Sequence, residues 1–217
     1  MPARNVDYSL YLVTDRDLSR GRATLEIVRA AVAGGVSCVQ LREKNCSTAE
    51  FIREALEIRD FLGSRGIPLI INDRLDVALA VAADGVHLGQ TDMPYQMARD
   101  IAGADFLIGI SAESLEDAIE AAGQGADYLG VSPIYETPTK TDTAPALGLS
   151  GLRAIREAVD IPLVGIGGLN RDNAASVIAS GADGVAVVSA IVSADDPQSA
   201  ARQLRDEIDR GKNHGHS

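Results

Sequence analysis

Val36-Ser37-Cys38-Val39-Gln40-Leu41-Arg42-Glu43-Lys44 begins as an apolar strand and ends in charge. Side chains alternate between the two faces of a strand. Gln40, Arg42 and Lys44 therefore share one side, and Val39, Leu41 and Glu43 the other. One side of the strand's C-terminal end thus presents an amide, a guanidinium and an ammonium, donors suited to phosphate and to the edge of a heterocycle. Taken alone, the stretch is equally compatible with a strand running out into a solvated charged loop.

The surrounding chain repeats one pattern. Apolar runs of strand character at 8–14, 36–42, 67–72, 85–88, 106–111, 126–132, 162–167 and 184–189 alternate with helical patterns at 24–33, 48–64, 75–82, 94–102, 115–124, 150–158, 173–179 and 197–210. Ser47 or Thr48, Asp73, Asp92, Ser114, Ser150 and Asp172 are candidate N-caps, and Pro94 suits a first helical turn. A short motif recurs where helices hand over to strands: Ala33-Gly34-Gly35-Val36, Ala83-Asp84-Gly85-Val86, Gly125-Ala126-Asp127-Tyr128 and Gly181-Ala182-Asp183-Gly184. Its glycine suits the residue just past a helix, and its small residues allow close helix–strand packing. Eight βα units in one chain predict an α/β fold, a single-domain (β/α)8 TIM barrel over residues 1–210. An open doubly wound sheet is the alternative, but no Gly-x-Gly-x-x-Gly follows the first strand. Residues 211–217 read as a polar, disordered tail.

Bulk properties remove several functional classes. The chain has 217 residues, 46% apolar and 24% charged, enough to bury a core without staples. Its formal charge of −11 argues against nucleic-acid and membrane-surface partners, which require a positive face. Cys38 and Cys46 provide neither a disulfide framework nor zinc spacing; Cys38 reads as core and Cys46 as a surface thiol. No signal peptide or long apolar run is present, so a cytoplasmic location is expected. Of three histidines, His214 and His216 lie in the tail and only His87 lies inside the fold, as a packed, hydrogen-bonded side chain. That nearly excludes a Ser-His-Asp triad or a multi-histidine metal site.

In a TIM barrel the active site sits at the C-terminal ends of the strands. Those ends here carry Gln40, Arg42 and Lys44; Asn72 and Asp73; Gly89, Gln90 and Asp92; Ser111; a long loop from Ser132 through Lys140; Gly165, Gly167 and Gly168; and Ser189. Asp73 and Asp92 follow adjacent strands and, read as a pair beside Arg42 and Lys44, suit a hard cation such as Mg2+; read singly, each could cap the next helix. The glycines after strand seven, with Val188 and Ser189 after strand eight, suit a phosphate held on backbone N–H groups. Residues 136–147 form either a binding loop, with Thr137, Thr139, Lys140, Thr141 and Thr143 for oxyanions, or a solvated surface loop. Two anion sites imply two phosphorylated small-molecule substrates, or one with phosphate at both ends. No general base stands out, which favours a reaction driven by positioning and neutralisation of a leaving group.

The motifs Gln40-Leu41-Arg42-Glu43-Lys44, Ile71-Asn72-Asp73-Arg74, Gly85 through Gln90 with Asp92 and Pro94, Gly109-Ile110-Ser111, Thr137-Pro138-Thr139-Lys140 and Gly165-Ile166-Gly167-Gly168 together resemble the thiamine-phosphate synthase family, in order over nearly the whole chain. The resemblance implies a transferase that joins a pyrimidine diphosphate to a thiazole phosphate, carboxylated or not, and releases diphosphate by a dissociative, Mg2+-assisted substitution. It implies that Gln40, Leu41, Arg42, Glu43, Lys44, Asn72, Ser111 and Lys140 hold the pyrimidine diphosphate, with Arg42, Lys44, Ser111 and Lys140 catalytic. It assigns Thr137, Pro138, Thr139, Gly167, Gly168, Val188 and Ser189 to the thiazole phosphate, and Asp73 and Asp92 to the metal. Ser132 stands where many members carry glycine. A thiazole tautomerase-like barrel and a non-catalytic binder of thiamine precursors are the alternatives. Neither would need the aspartate pair together with the Gln-x-Arg-x-Lys row.

Overall fold

The computed structural model describes residues 6–136 and 145–214. Eight short strands pair in sequence order, all parallel: β1 (Leu10–Val13), β2 (Cys38–Leu41), β3 (Leu69–Asn72), β4 (Gly85–Leu88), β5 (Leu107–Ala112), β6 (Tyr128–Val131), β7 (Leu163–Gly165) and β8 (Gly184–Val187). β8 closes onto β1, with Tyr11 opposite Ala186, so the sheet is a closed barrel and not an open doubly wound sheet. The crossovers are α1 (Thr24–Ala33), α2 (Thr48–Gly63), α3 (Leu75–Ala80), α4 (Tyr95–Ala102), α5 (Leu115–Gln124), α6 (Gly148–Ala158) and α7 (Ala174–Ala179). After β8 come a four-residue turn of helix, α8 (Ser189–Val192), and the long α9 (Pro197–His214).

Strand alternation sorts the apolar residues into two layers. Tyr11, Val13, Cys38, Ile70, Leu107, Tyr128, Val164 and Ala186 fill the barrel interior. Leu10, Leu12, Val39, Leu41, Leu69 and Ile71 point outward and meet the helices. Each fully buried aliphatic side chain of this kind contributes roughly 1.5–3 kcal/mol. The helices supply matching stripes. In α2, Phe51, Ala55, Ile58 and Leu62 recur at helical spacing and are the buried residues. Ser47 starts that helix with a reciprocal capping box to Glu50.

Several local expectations change. Ser47 and Ser114 cap their helices, whereas Asp73, Asp92, Ser150 and Asp172 do not. Residues 211–214, read from the sequence as the start of a disordered tail, continue α9. Gly211 is the reason: a Cβ there would lie 2.7 Å from the carbonyl oxygen of Ala175, so glycine lets α9 cross α7 closely. The missed α8 is too short to leave a periodic signal.

The recurring motif turns out to be a latch at the N-terminal end of the barrel. Gly35, Ala82, Gly125 and Gly181 adopt positive φ, and the second residue after each is Ser37, Asp84, Asp127 or Asp183. The backbone N–H groups of these four donate to the carbonyls of Leu10, Leu69, Ile108 and Leu163 at 2.8–3.0 Å. Their side-chain oxygens accept the N–H of those same residues at 2.7–3.1 Å. The residue just before each even-numbered strand is thus clamped to the odd-numbered neighbour at two points.

Candidate active site

Gln40 lies inside the barrel, and its amide nitrogen donates to the Tyr11 hydroxyl at 3.0 Å. Arg42 stands two residues on, at the mouth. Its backbone N–H donates to Thr14 Oγ1 at 3.0 Å and its guanidinium to Asp15 at 2.8 Å. Lys44 Nζ reaches across to Asp73 Oδ2 at 2.5 Å. The three donors expected to share a side therefore converge at one end of the barrel, held by residues from β1 and β3. Leu41 and Glu43 face away. Leu41 is wholly buried among the helices, and the Glu43 side chain is 2% exposed and bonded to Arg16 at 2.9 Å. Arg16 also bridges Glu54 at 2.7 Å. Burial, then the neighbouring Glu54, pushes the Glu43 carboxyl above the usual range, with Arg16 opposing.

Asn72 ends β3 opposite His87 and is 9% exposed. Asp73 follows with φ 60°, a left-handed conformation that Asp tolerates better than most residues. Its backbone N–H donates to the carbonyl of His87 at 2.8 Å. Asp92 accepts the N–H of Gly89 at 2.7 Å instead of capping α4. Burial and then contact with the Asp73 carboxylate raise the Asp92 carboxyl, against the lowering effects of the Gly89 N–H and Lys44. The two aspartates thus meet with Lys44 between strands two and four. Ser111 joins from β5: its Oγ lies 3.0 Å from His87 Nε2, and its carbonyl accepts from Gln90.

The opposite rim is built from backbone. Gly167 and Gly168 have φ of 101° and 67°. A Cβ on Gly167 would lie 2.8 Å from Pro133 Cα, and one on Gly168 2.8 Å from the Glu136 carbonyl. The loop after β6 lies along this turn, with the N–H groups of Ile134 and Tyr135 donating to the carbonyls of Ile166 and Gly167 at 2.9 and 3.1 Å. The loop returns to its own start, since Leu147 and Gly148 donate to Pro133 and Ile134 at 2.9 and 3.0 Å. Val188 and Ser189 lie at the β8–α8 junction, Val188 partly buried and Ser189 exposed. Thr137, Pro138, Thr139 and Lys140, with Thr141 and Thr143, lie outside the described residues.

Sequence reading missed Asp15, Tyr11 and Tyr128 as parts of this end of the barrel. Asp15 follows β1 and reads as a loop residue. The tyrosines look like core, and only the hydrogen bonds of their hydroxyls reveal more. His87 is the packed, hydrogen-bonded side chain expected of it, with Tyr128 and Ser111 among its partners.

A family model described as thiamine monophosphate synthase matches residues 10–191. A thiamine-phosphate synthase of Chloroflexus aurantiacus is 58% identical over 203 residues, 94% of either chain. That of Albidiferax ferrireducens is 56% identical over 200 residues, 92% of this chain and 91% of its own. The solved structure of a thiamine phosphate pyrophosphorylase from Pyrococcus furiosus superposes with a TM-score of 0.88 at 42% identity, covering 94% of this chain and 97% of that one. A 3-hexulose-6-phosphate synthase, with a TM-score of 0.67 at 17% identity, shares the fold. With most of its length matched in sequence and architecture, this chain belongs to the thiamine monophosphate synthase family.

Proposed function

We propose that this chain joins an aminopyrimidine, carrying a diphosphate ester on its hydroxymethyl group, to a thiazole phosphate, carboxylated or not, giving thiamine monophosphate and diphosphate, with CO2 also released from the carboxylated form. The observation that carries the reading is that the Gln40, Arg42, Lys44 row and the Asp73–Asp92 pair meet at one barrel mouth, tied together by the 2.5 Å contact of Lys44 with Asp73. Family membership supports it, and a thiamine-phosphate synthase is a transferase.

In this reading Gln40 and Asn72 hold the pyrimidine, and Arg42, Lys44, Ser111 and Lys140 face its diphosphate. As the carbon–oxygen bond breaks, its electron pair goes to the diphosphate oxygen. Charge then grows where Arg42 and Lys44 stand, and fixed cations there favour the transition state over the ground state. The methylene cation left behind is stabilised by the electron-rich ring and accepts the lone pair of the thiazole nitrogen. With the uncarboxylated thiazole no proton moves at the reacting atoms, which agrees with a mouth that offers no evident general base. Gly167, Gly168, Val188 and Ser189, with Thr137, Pro138 and Thr139, take the thiazole phosphate. The positive φ angles of the glycine turn, a backbone shape that side chains rarely allow, support that role.

Asp73 and Asp92 fit Mg2+. They are hard oxygen donors in contact with each other, and burial leaves Asp92 short of positive charge. Among the described residues no three His, Cys, Asp or Glu side chains cluster, so substrate oxygens and water would complete the coordination. When bound, the ion would supply neutralisation of the diphosphate. The test is diphosphate release by purified protein given both substrates, with and without Mg2+. Release that requires both substrates and the metal is expected. Release from either substrate alone, or none with both present, would overturn the reading.

A further inference from the structure

Five polar side chains form a continuous hydrogen-bond chain across the barrel interior beneath the mouth. Gln40 Nε2 donates to Tyr11 Oη at 3.0 Å, and Tyr11 Oη lies 2.9 Å from Tyr128 Oη. Tyr128 Oη lies 3.0 Å from His87 Nδ1, and His87 Nε2 lies 3.0 Å from Ser111 Oγ. The members come from β2, β1, β6, β4 and β5 in turn. Two glycines make room for the rings. A Cβ on Gly109 would lie 2.1 Å from Tyr128 Cζ, and one on Gly130 would lie 2.9 Å from His87 Cε1.

Donor counting gives the chain a direction. An amide nitrogen only donates, so Tyr11 Oη accepts from Gln40. Burial pushes both phenols well above their ordinary range, so each stays neutral with one proton to give. The Cys38 sulfur, which lies near Tyr11, is a much weaker acceptor than a phenol oxygen. The Tyr11 proton therefore goes to Tyr128, and the Tyr128 proton goes to His87 Nδ1. The imidazole must then carry its own proton on Nε2 and donate to Ser111 Oγ. At the two ends, Gln40 Oε1 is left as an acceptor and the Ser111 O–H as a donor.

We propose that Tyr11, Tyr128 and His87 are positioning residues, which act through this one-way chain to present Gln40 Oε1 to the exocyclic amine of the pyrimidine and the Ser111 hydroxyl to an oxygen of its diphosphate. The inference rests on the substrate assignment above. It adds a basis for specificity: an oxo group in place of the amine would meet the Gln40 carbonyl oxygen, acceptor against acceptor, with no neighbouring hydroxyl free to reverse the amide.

The first measurement is the tautomer of His87, read from two-bond proton–nitrogen correlations of the imidazole at a pH where it is neutral. Only three histidines occur, and His87→Gln assigns the signals. Wild-type protein is expected to hold a single Nε2–H tautomer. An Nδ1–H tautomer, or an even mixture, would overturn the direction of the chain. Tyr128→Phe keeps the ring and removes the central link. It is expected to release His87 into mixed tautomers and to raise KM for the pyrimidine diphosphate about tenfold, the effect of losing one or two ordinary hydrogen bonds. KM for the thiazole phosphate should stay within about twofold, since that substrate is held on the other rim. An unchanged tautomer, or equal rises in both KM values with a lower Tm, would make Tyr128 merely structural. The tautomer is read on the protein alone, so absence of diphosphate release from wild type would count against the synthase reading and not against the chain.

Discussion

Asp127 at the N-terminal end of the barrel and Asp92 at its C-terminal end are both partly buried carboxylates, and their surroundings are opposite. Asp127 accepts the Ile108 N–H at 2.7 Å and the Arg99 guanidinium at 2.6 Å, and Arg99 is further bonded to the carbonyls of Gly103 and Phe106. Asp92 accepts one N–H at 2.7 Å and faces another carboxylate. The lower end of the barrel is electrostatically finished, and the mouth is not. In a TIM barrel, polar residues at the lower end serve stability and those at the mouth serve chemistry. The same amino acid therefore predicts different losses at the two ends.

Asp92→Ala offers the largest contrast. Diphosphate release at saturating Mg2+ should fall by at least about 100-fold, the scale of losing a metal's stabilisation of transition-state charge. Tm should hold or rise slightly, because one of two touching like charges is gone. Wild-type turnover in this variant would remove Asp92 from the metal site. Arg42→Ala comes next. Losing charge-assisted bonds worth about 1.5–3 kcal/mol should raise KM for the pyrimidine diphosphate roughly 10–100-fold, with little change for the thiazole phosphate. Equal weakening of both substrates in a steady-state comparison would undo the separation of the two anion sites.

Asp127→Ala probes the finished end. It strands the Ile108 N–H and takes the counter-charge from Arg99, at a cost of about 2 kcal/mol, or roughly 5 °C in Tm for a chain of this length. Both KM values should be unchanged. A variant that melts normally but loses turnover would mean that the lower end reaches the chemistry, and the contrast between the ends would fail.

The strands were legible because β-alternation and turn chemistry agree along the whole chain, and the helix starts were legible where a serine caps, as at Ser47 and Ser114. Asp73 and Asp92 show the limit. Aspartate before a helix is also the residue that caps it, and only the geometry places one against Lys44 and the other against Gly89. The latch aspartates were visible as a repeat, yet their task was not, because a bond from a side chain to the preceding strand has no periodicity. Tyr11 and Tyr128 are hidden for a different reason. An interior tyrosine reads as core by its ring, and its hydroxyl gains meaning only from residues more than twenty positions away.

Glu43 tests the comparison most finely, because it sits between Arg42 and Lys44 and yet faces the helices. Burial and Glu54 raise its carboxyl in the folded state. Below the unfolded-state value both states are protonated, and the group costs nothing. As pH rises through the raised folded-state value, ionisation penalises the folded form, so stability is lost on going from acid to neutral pH. Glu43→Gln removes this titration. Compared with wild type, the variant's Tm should therefore improve progressively as pH rises from acid to neutral. Arg16 keeps Glu54 as its partner in the variant. KM for the pyrimidine diphosphate should not move, since the Glu43 side chain is turned from the mouth. A tenfold rise in that KM would show that Glu43 belongs with its neighbours in sequence, and that alternation along β2 breaks down just where the charge begins.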